Sequence, residues 1–311
     1  MAILLTGASG FVGSRLIDVI DGDLIPVVRR ASNLEGEVLK TIDGATNWAG
    51  VLERVDVIIH CAARVHVMND DVQVPLAAFR AVNVEGAENL ARQAARAGVK
   101  RFILLSSIKV NGECSLENAP FSEQDEANPQ DPYAISKYEA EESLKEICAE
   151  TGMEFVIIRP PLVYGAKVKA NFRSMLKWLS FGVPLPLGAI KHNKRSLVYV
   201  DNLVDLIKVC IEHPAAANQT FLVSDDEDIS TEELLRRNSR ALGKKLHLFP
   251  VPEGLFNLVG KLVGRGDIGR RLADSLQVDI SHTKMTLNWK PPHSLEYGLK
   301  ETSDWFKNFK P

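Results

Sequence analysis

The chain has 311 residues, 45% hydrophobic and 25% charged, the proportions of a globular protein with core material for one large domain or two lobes, which excludes a disordered or fibrous chain. Lys and Arg total 37 against 40 Asp and Glu, a formal charge of −3, so there is no electrostatic footprint for DNA or RNA and no nucleic-acid partner is expected. Four widely spaced cysteines, Cys61, Cys114, Cys148 and Cys210, form no CxxC pair, which argues against a zinc ribbon or disulfide scaffold and fits a reduced, cytoplasmic setting.

The opening residues carry no basic, apolar export signal. Short apolar runs at 3–5, 24–28, 55–60, 102–106 and 154–159 read as strands, and helical patterns lie at 11–20, 82–97 and 133–151, with Gly98 and Gly152 as stops. This alternation is the signature of βαβ units. The expected fold is therefore α/β: a doubly wound parallel (Rossmann) sheet over 1–165, to which the chain returns at about 195–225, and a smaller lobe within 166–311. Residues 119–132, with Pro120, Pro129 and Pro132, read as a surface loop placed over a site. Ser230 and Glu233 form a capping-box pattern before a helix. The most apolar stretch, 246–263, is broken by Pro250, Pro252, Gly254 and Gly260 and falls short of the ~20 residues of a membrane span. It reads as a buried helix, and no membrane partner is expected.

Gly7, Gly10 and Gly13 follow the first strand and open a helix. In that context glycines let backbone amides approach a pyrophosphate at a helix start. The spacing is GxxGxxG, with Ser9 in the place of the second glycine of the commoner GxGxxG pattern.

Tyr133-Ala134-Ile135-Ser136-Lys137, with the glycine loop upstream, resembles the short-chain dehydrogenase/reductases, in the extended branch of nucleotide-sugar epimerases and dehydratases. Tyr133 and Lys137, four apart, share one helix face. A nearby ammonium favours the phenolate and is expected to lower the tyrosine pKa from ~10. Tyr133 would then exchange a proton with a sugar hydroxyl while a nicotinamide carries the hydride.

The resemblance implies further roles. Ser107, in Ser106-Ser107-Ile108-Lys109-Val110-Asn111-Gly112, matches the third catalytic side chain and a substrate contact, while Ser106 faces the sheet or cofactor. Ile108 and Lys109 replace the Asp-Glu pair of sugar dehydratases, and Asn111 replaces a usual tyrosine of the substrate wall. Gly7, Ser9, Gly10, Phe11, Val12, Gly13, Cys61, Ala62, Ala63, Asn83, Tyr133 and Lys137 match cofactor contacts, and Thr41 or Asp43 must serve the adenine. Arg29 and Arg30 follow the second strand where NAD-selective relatives carry an acid, so the cofactor reading leans to NADP over NAD. Asn171, Arg195 and Arg271 are candidates for the diphosphate of a UDP- or dTDP-sugar. The seven histidines form no HxH, HxxH or HExxH pattern, and no metal is expected.

The leading functional expectation is a UDP-4-keto-sugar reductase of surface-polysaccharide synthesis, because residues 64–69 with Asn171 and Arg195 are similar to such enzymes. The alternative is a UDP-hexose 4-epimerase, and a remoter one is a dinucleotide sensor without catalysis. The resemblance also implies a homodimer through the helices at 82–97 and 133–151, whose Leu144 and Ile147 permit an interface or burial against the sheet.

Overall fold

The computed structural model describes residues 1–65, 75–116, 118–188, 190–249, 251 and 273–309. In chain order its strands are β1 (Ala2–Thr6), β2 (Asp23–Val28), β3 (Val38–Leu39), β4 (Val57–His60), β5 (Arg101–Leu105), β6 (Glu154–Arg159), β7 (Leu162–Tyr164), β8 (Arg195–Tyr199), β9 (Gln219–Leu222) and β10 (Asp228–Ile229). Seven form one sheet in the order β3-β2-β1-β4-β5-β6-β9. Every neighbouring pair in that sheet is parallel. The chain leaves β1 for β2 on one side and later enters β4 on the other, so the order reverses beside β1. An α/β sheet opens a ligand crevice at such a point, at the carboxyl ends of its strands.

Side-chain alternation gives the sheet two apolar faces. Leu4, Ile58, Leu104 and Ile157 bury one of them with α3 (Glu85–Ala97) and α4 (Pro132–Thr151). Ile3, Leu5, Ile59, Ile103 and Ile158 bury the other in a core with residues of α1 (Phe11–Ile17) and α6 (Val200–Glu212). Each such side chain contributes about 1.5–3 kcal/mol on burial. The helical pattern at 82–97 divides at Val84, between α2 (Pro75–Asn83) and α3. Gly98 and Gly152 cap α3 and α4 at φ 83 and 77, left-handed positions suited to glycine.

Of the segments expected to return to the sheet, β9 does so at its edge. β8 instead pairs with β7 and β10 in a three-stranded second sheet. With that sheet go α5 (Ala170–Ser180), α7 (Thr231–Ala241) and α9 (Leu295–Asn308), while α8 (Ser281–Leu287) packs on β9, Thr283 donating to the Leu222 carbonyl at 2.6 Å. Ser230 accepts from the Glu233 amide at 3.1 Å, while the Glu233 carboxylate turns forward to Arg237 at 2.9 Å instead of reaching back. Among the described residues no helix is long and apolar enough to cross a membrane; most of the 246–263 stretch lies outside them.

Candidate active site

The glycine loop occupies the crevice. Gly7 has φ +71, and a Cβ there would lie 2.7 Å from the Ala62 amide nitrogen; a Cβ on Gly13 would lie 2.2 Å from the Gly7 carbonyl. The glycines therefore let β1, α1 and the end of β4 close on one another. Ser9 and Gly10 are exposed, and Gly10 caps α1 without a side-chain bond. Like those at any helix start, the amides of Phe11, Val12 and Gly13 have no acceptor within the helix.

Across the loop, the Thr6 hydroxyl pairs with His60 Nδ1 at 2.9 Å and accepts from Ala62 at 3.3 Å. Cys61, Ala62 and Ala63 remain partly exposed on the rim. His60 is buried, and burial together with the Lys137 charge pushes its pKa down to about 3. Asn83 is a strut between elements. Its carbonyl accepts from the Arg64 amide at 2.7 Å, and its amide donates to the Arg64 carbonyl at 3.0 Å and to Ser136 at 2.9 Å, so both donors are engaged. Arg29 and Arg30 are exposed just past β2. Asp43 caps its own turn, accepting from Ala45 at 3.0 Å and Thr46 at 2.8 Å, while Thr41 pairs with Thr46.

Helix α4 begins with Pro132 in its first turn and Asp131 as cap, whose carboxylate accepts from the Ala134 amide at 2.7 Å. The cap fixes where Tyr133 and Lys137 emerge. Lys137 is only 1% exposed. Burial draws its pKa down to about 8, against the opposing pull of Glu141 and Cys61. Among the described residues no hydrogen bond ends on its ammonium. Tyr133 stays partly exposed, edge-on to Phe79 at 6.1 Å.

The phenol departs from expectation. Burial and the Asp131 charge push its pKa up to about 12, with only a hydrogen bond to Ser107 opposing. The expected lowering by Lys137 is absent: desolvation and the Asp131 charge both disfavour the phenolate, and the Ser107 hydrogen bond offsets only part of that.

Ser107 has extended backbone and its hydroxyl accepts from the Lys109 amide at 3.3 Å, besides meeting Tyr133. Ser106 points the opposite way and donates to Glu141, as successive residues of extended chain must. Ile108 is buried, and Lys109 pairs with Asp131 and with Glu113 at 3.3 Å. No acid-base pair thus follows Ser107. Asn111 is not a wall of the site: it is buried, donating to the Ser122 carbonyl at 2.9 Å and accepting from Arg159 at 3.0 Å.

Asn171 is exposed in the first turn of α5. Arg195 donates to the Asp274 carbonyl at 3.0 Å, and its burial lowers its pKa while Asp274 opposes. Arg271 and residues 66–69 lie outside the described residues. A cavity of about 420 Å³ opens between α1, α6 and α9, lined by Phe11, Arg15, Tyr199, Asp201 and Tyr297 among others, but not by Ser107, Tyr133 or Lys137. Sequence reading missed Asp131, Glu141 and Arg159. Glu141 repeats the four-residue step from Tyr133 to Lys137, which was the available signal.

Residues 3–224 match the model of the NAD dependent epimerase/dehydratase family. The chain belongs to that family. It is 50% identical over 312 residues to a UDP-glucose 4-epimerase of Vibrio cholerae, covering 98% of this chain and 95% of that one. It is 31% identical to an N-acetyl-alpha-D-glucosaminyl-diphospho-ditrans,octacis-undecaprenol 4-epimerase of Escherichia coli O157:H7, over 85% and 81% of the two chains. A crystal structure of UDP-N-acetylglucosamine 4-epimerase from Bacillus cereus superposes with TM-score 0.81 at 19% identity, over 99% of each chain. That likeness shows the fold.

Proposed function

We propose that this enzyme is a nucleotide-sugar 4-epimerase, with UDP-hexose as the substrate class and NAD as the cofactor retained through turnover. One observation carries the reading: half-identity along nearly the whole chain to the Vibrio cholerae 4-epimerase. It favours the epimerase alternative over the 4-keto-sugar reductase. The lean to NADP rested on Arg29, which stands exposed without a hydrogen bond among the described residues, and the lean to reduction rested also on the stretch 64–69, most of which lies outside them.

Two features support a dinucleotide: the amides at 11–13, which have no acceptor within the helix, and the buried Lys137 ammonium, on which no hydrogen bond ends among the described residues. When bound, the nicotinamide supplies a hydride acceptor and donor at C4 of the hexose. Ser107 and Tyr133 hold the C4 oxygen between them. Tyr133 takes the hydroxyl proton and returns it once the keto sugar has turned over, and the Lys137 ammonium stabilises the phenolate formed between those events. Asn171, Arg195 and Arg271 are assigned to the diphosphate. We infer further a cytoplasmic homodimer through α3 and α4. Leu144 and Ile147 are buried against the sheet, so that interface would use the charged outer faces of the two helices.

Incubation with UDP-glucose, without added dinucleotide, tests the reading. Formation of UDP-galactose by protein that carries NAD supports it; stoichiometric NADPH consumption with a 4-keto sugar supports the reductase instead. A sugar linked to a polyprenyl diphosphate belongs in the same panel. Tyr133→Phe is expected to lower kcat by roughly three orders of magnitude while leaving NAD affinity unchanged.

A further inference from the structure

Beneath Lys137 lies a buried charge cluster that the proposed proton transfer does not use. Glu141 stands one turn beyond Lys137 on α4 and is 0% exposed. Arg159, at the end of β6, grips its carboxylate through Nε at 3.0 and 3.2 Å and Nη2 at 2.5 Å, and Ser106 donates to Oε1. Arg159 Nη1 in turn donates to Asn111 at 3.0 Å, and Asn111 donates to the Ser122 carbonyl at 2.9 Å. One carboxylate thus ties α4 to the ends of β5 and β6. A buried ion pair is commonly no more stabilising than apolar residues of equal volume, so stability alone does not account for it.

The surroundings of Lys137 make the charge consequential. From β4 and its rim come His60, neutral, and Cys61, whose thiol burial pushes up to about 12. From α4 itself come Glu141 and the phenol of Tyr133. At the start of α4, Asp131, whose charge acts on Tyr133, pairs with Lys109, which also meets Glu113 at 3.3 Å, and Arg159 lies behind Glu141. Among the described groups Glu141 is the carboxylate that favours the Lys137 ammonium.

We propose that Glu141 is a positioning residue for the reaction, keeping buried Lys137 a cation and, through Ser106, holding the adjacent Ser107 turned toward Tyr133. The inference rests on the proposed function only in taking Ser107, Tyr133 and Lys137 as the reacting group. Extended backbone at Ser107 converts the inward anchoring of Ser106 into outward presentation of its neighbour.

The test is kcat and KM against pH for wild type, Glu141→Gln, Glu141→Asp and the double variant Glu141→Leu/Arg159→Met, with thermal unfolding and NAD binding measured alongside. In Glu141→Gln the attractive charge is gone and Arg159 is left uncompensated, so Lys137 gives up its proton at lower pH. The alkaline limb of kcat then moves down by about one unit, leaving kcat at pH 8 about fivefold low with KM nearly constant. Glu141→Asp keeps the charge and restores the limb. The double variant folds, as apolar replacement of a buried pair allows, yet remains about tenfold slow because Ser106 has lost its acceptor. A uniform loss across pH that tracks the folded fraction, or full kcat in the double variant, overturns the proposal. Should Glu141→Gln fail to fold, the double variant decides. Undiminished turnover in Tyr133→Phe would instead remove the reacting group itself, a result separate from any outcome at Glu141.

Discussion

Lys137 shows at the scale of one residue how the site acts against stability. Its folded pKa of about 8 lies below the ordinary 10.5, so between those values the unfolded chain binds more protons and stability rises with pH. Below pH 8 the penalty is complete, roughly 3 kcal/mol for a shift of about 2.5 units at 1.36 kcal/mol each. Lys137→Met is therefore expected to unfold at higher temperature than wild type at pH 7, with the difference shrinking toward pH 10, while turnover is lost; calorimetry at the two pH values checks it. Activity should likewise fall as pH rises through about 8, where the ammonium discharges. Tyr133 and Lys137 were legible from their spacing taken with the glycine loop upstream and the family resemblance the two together carry. The chemistry around them was not: Arg159 is 18 residues and Asn111 30 residues from Glu141 along the chain, so their network exists only once β5, β6 and α4 meet. The raised phenol was equally hidden, because desolvation is a property of the folded surroundings.

Elements were legible where a short apolar run stood between helical patterns, as for β1, β2, β4, β5 and β6. Strands β7 and β10, three and two residues long, carry too little periodicity to read, since their pairing is decided by contacts distant in sequence. The break between α2 and α3 is of the same kind: Asn83, at the end of α2, is committed to the Arg64 backbone and to Ser136. The glycine loop was legible, and its geometry says why each position matters. Gly7→Ala places a Cβ 2.7 Å from the Ala62 nitrogen at φ +71, and Gly13→Ala one 2.2 Å from the Gly7 carbonyl. Each should destabilise by about 1–3 kcal/mol and weaken NAD binding at least tenfold, as fluorescence titration would report. Nearly unchanged affinity in either variant would show that the loop tolerates the displacement.

On the scale of the molecule, buried polar joints fasten the second sheet and the terminal helix to the Rossmann core. The Asp225 carboxylate accepts from Tyr164 at 2.7 Å, the Tyr199 amide at 2.8 Å and Asn202 at 2.7 Å, and Asn202 also donates to the His293 carbonyl at 2.8 Å. Gly298 lets α9 lie over this joint, since a Cβ there would stand 2.4 Å from the Tyr164 hydroxyl. Gly298→Ala should lower the unfolding temperature by several degrees, about 1–3 kcal/mol, and raise the KM for nucleotide sugar with NAD affinity unchanged. The outward faces of the helices α2, α3 and α4 carry Arg80 of α2 with Glu139 of α4 at 2.5 Å and Arg92 with Glu88, both of α3, at 3.0 Å. A homodimer through them should loosen as salt rises, a trend that light scattering follows. The central claim is that Tyr133, beside Lys137 and a retained dinucleotide, moves a proton at C4. Its most direct test is UDP-glucose turnover by wild type and Tyr133→Phe with no dinucleotide added. The account predicts UDP-galactose from the first and a trace from the second at equal NAD content; equal turnover by both would contradict it.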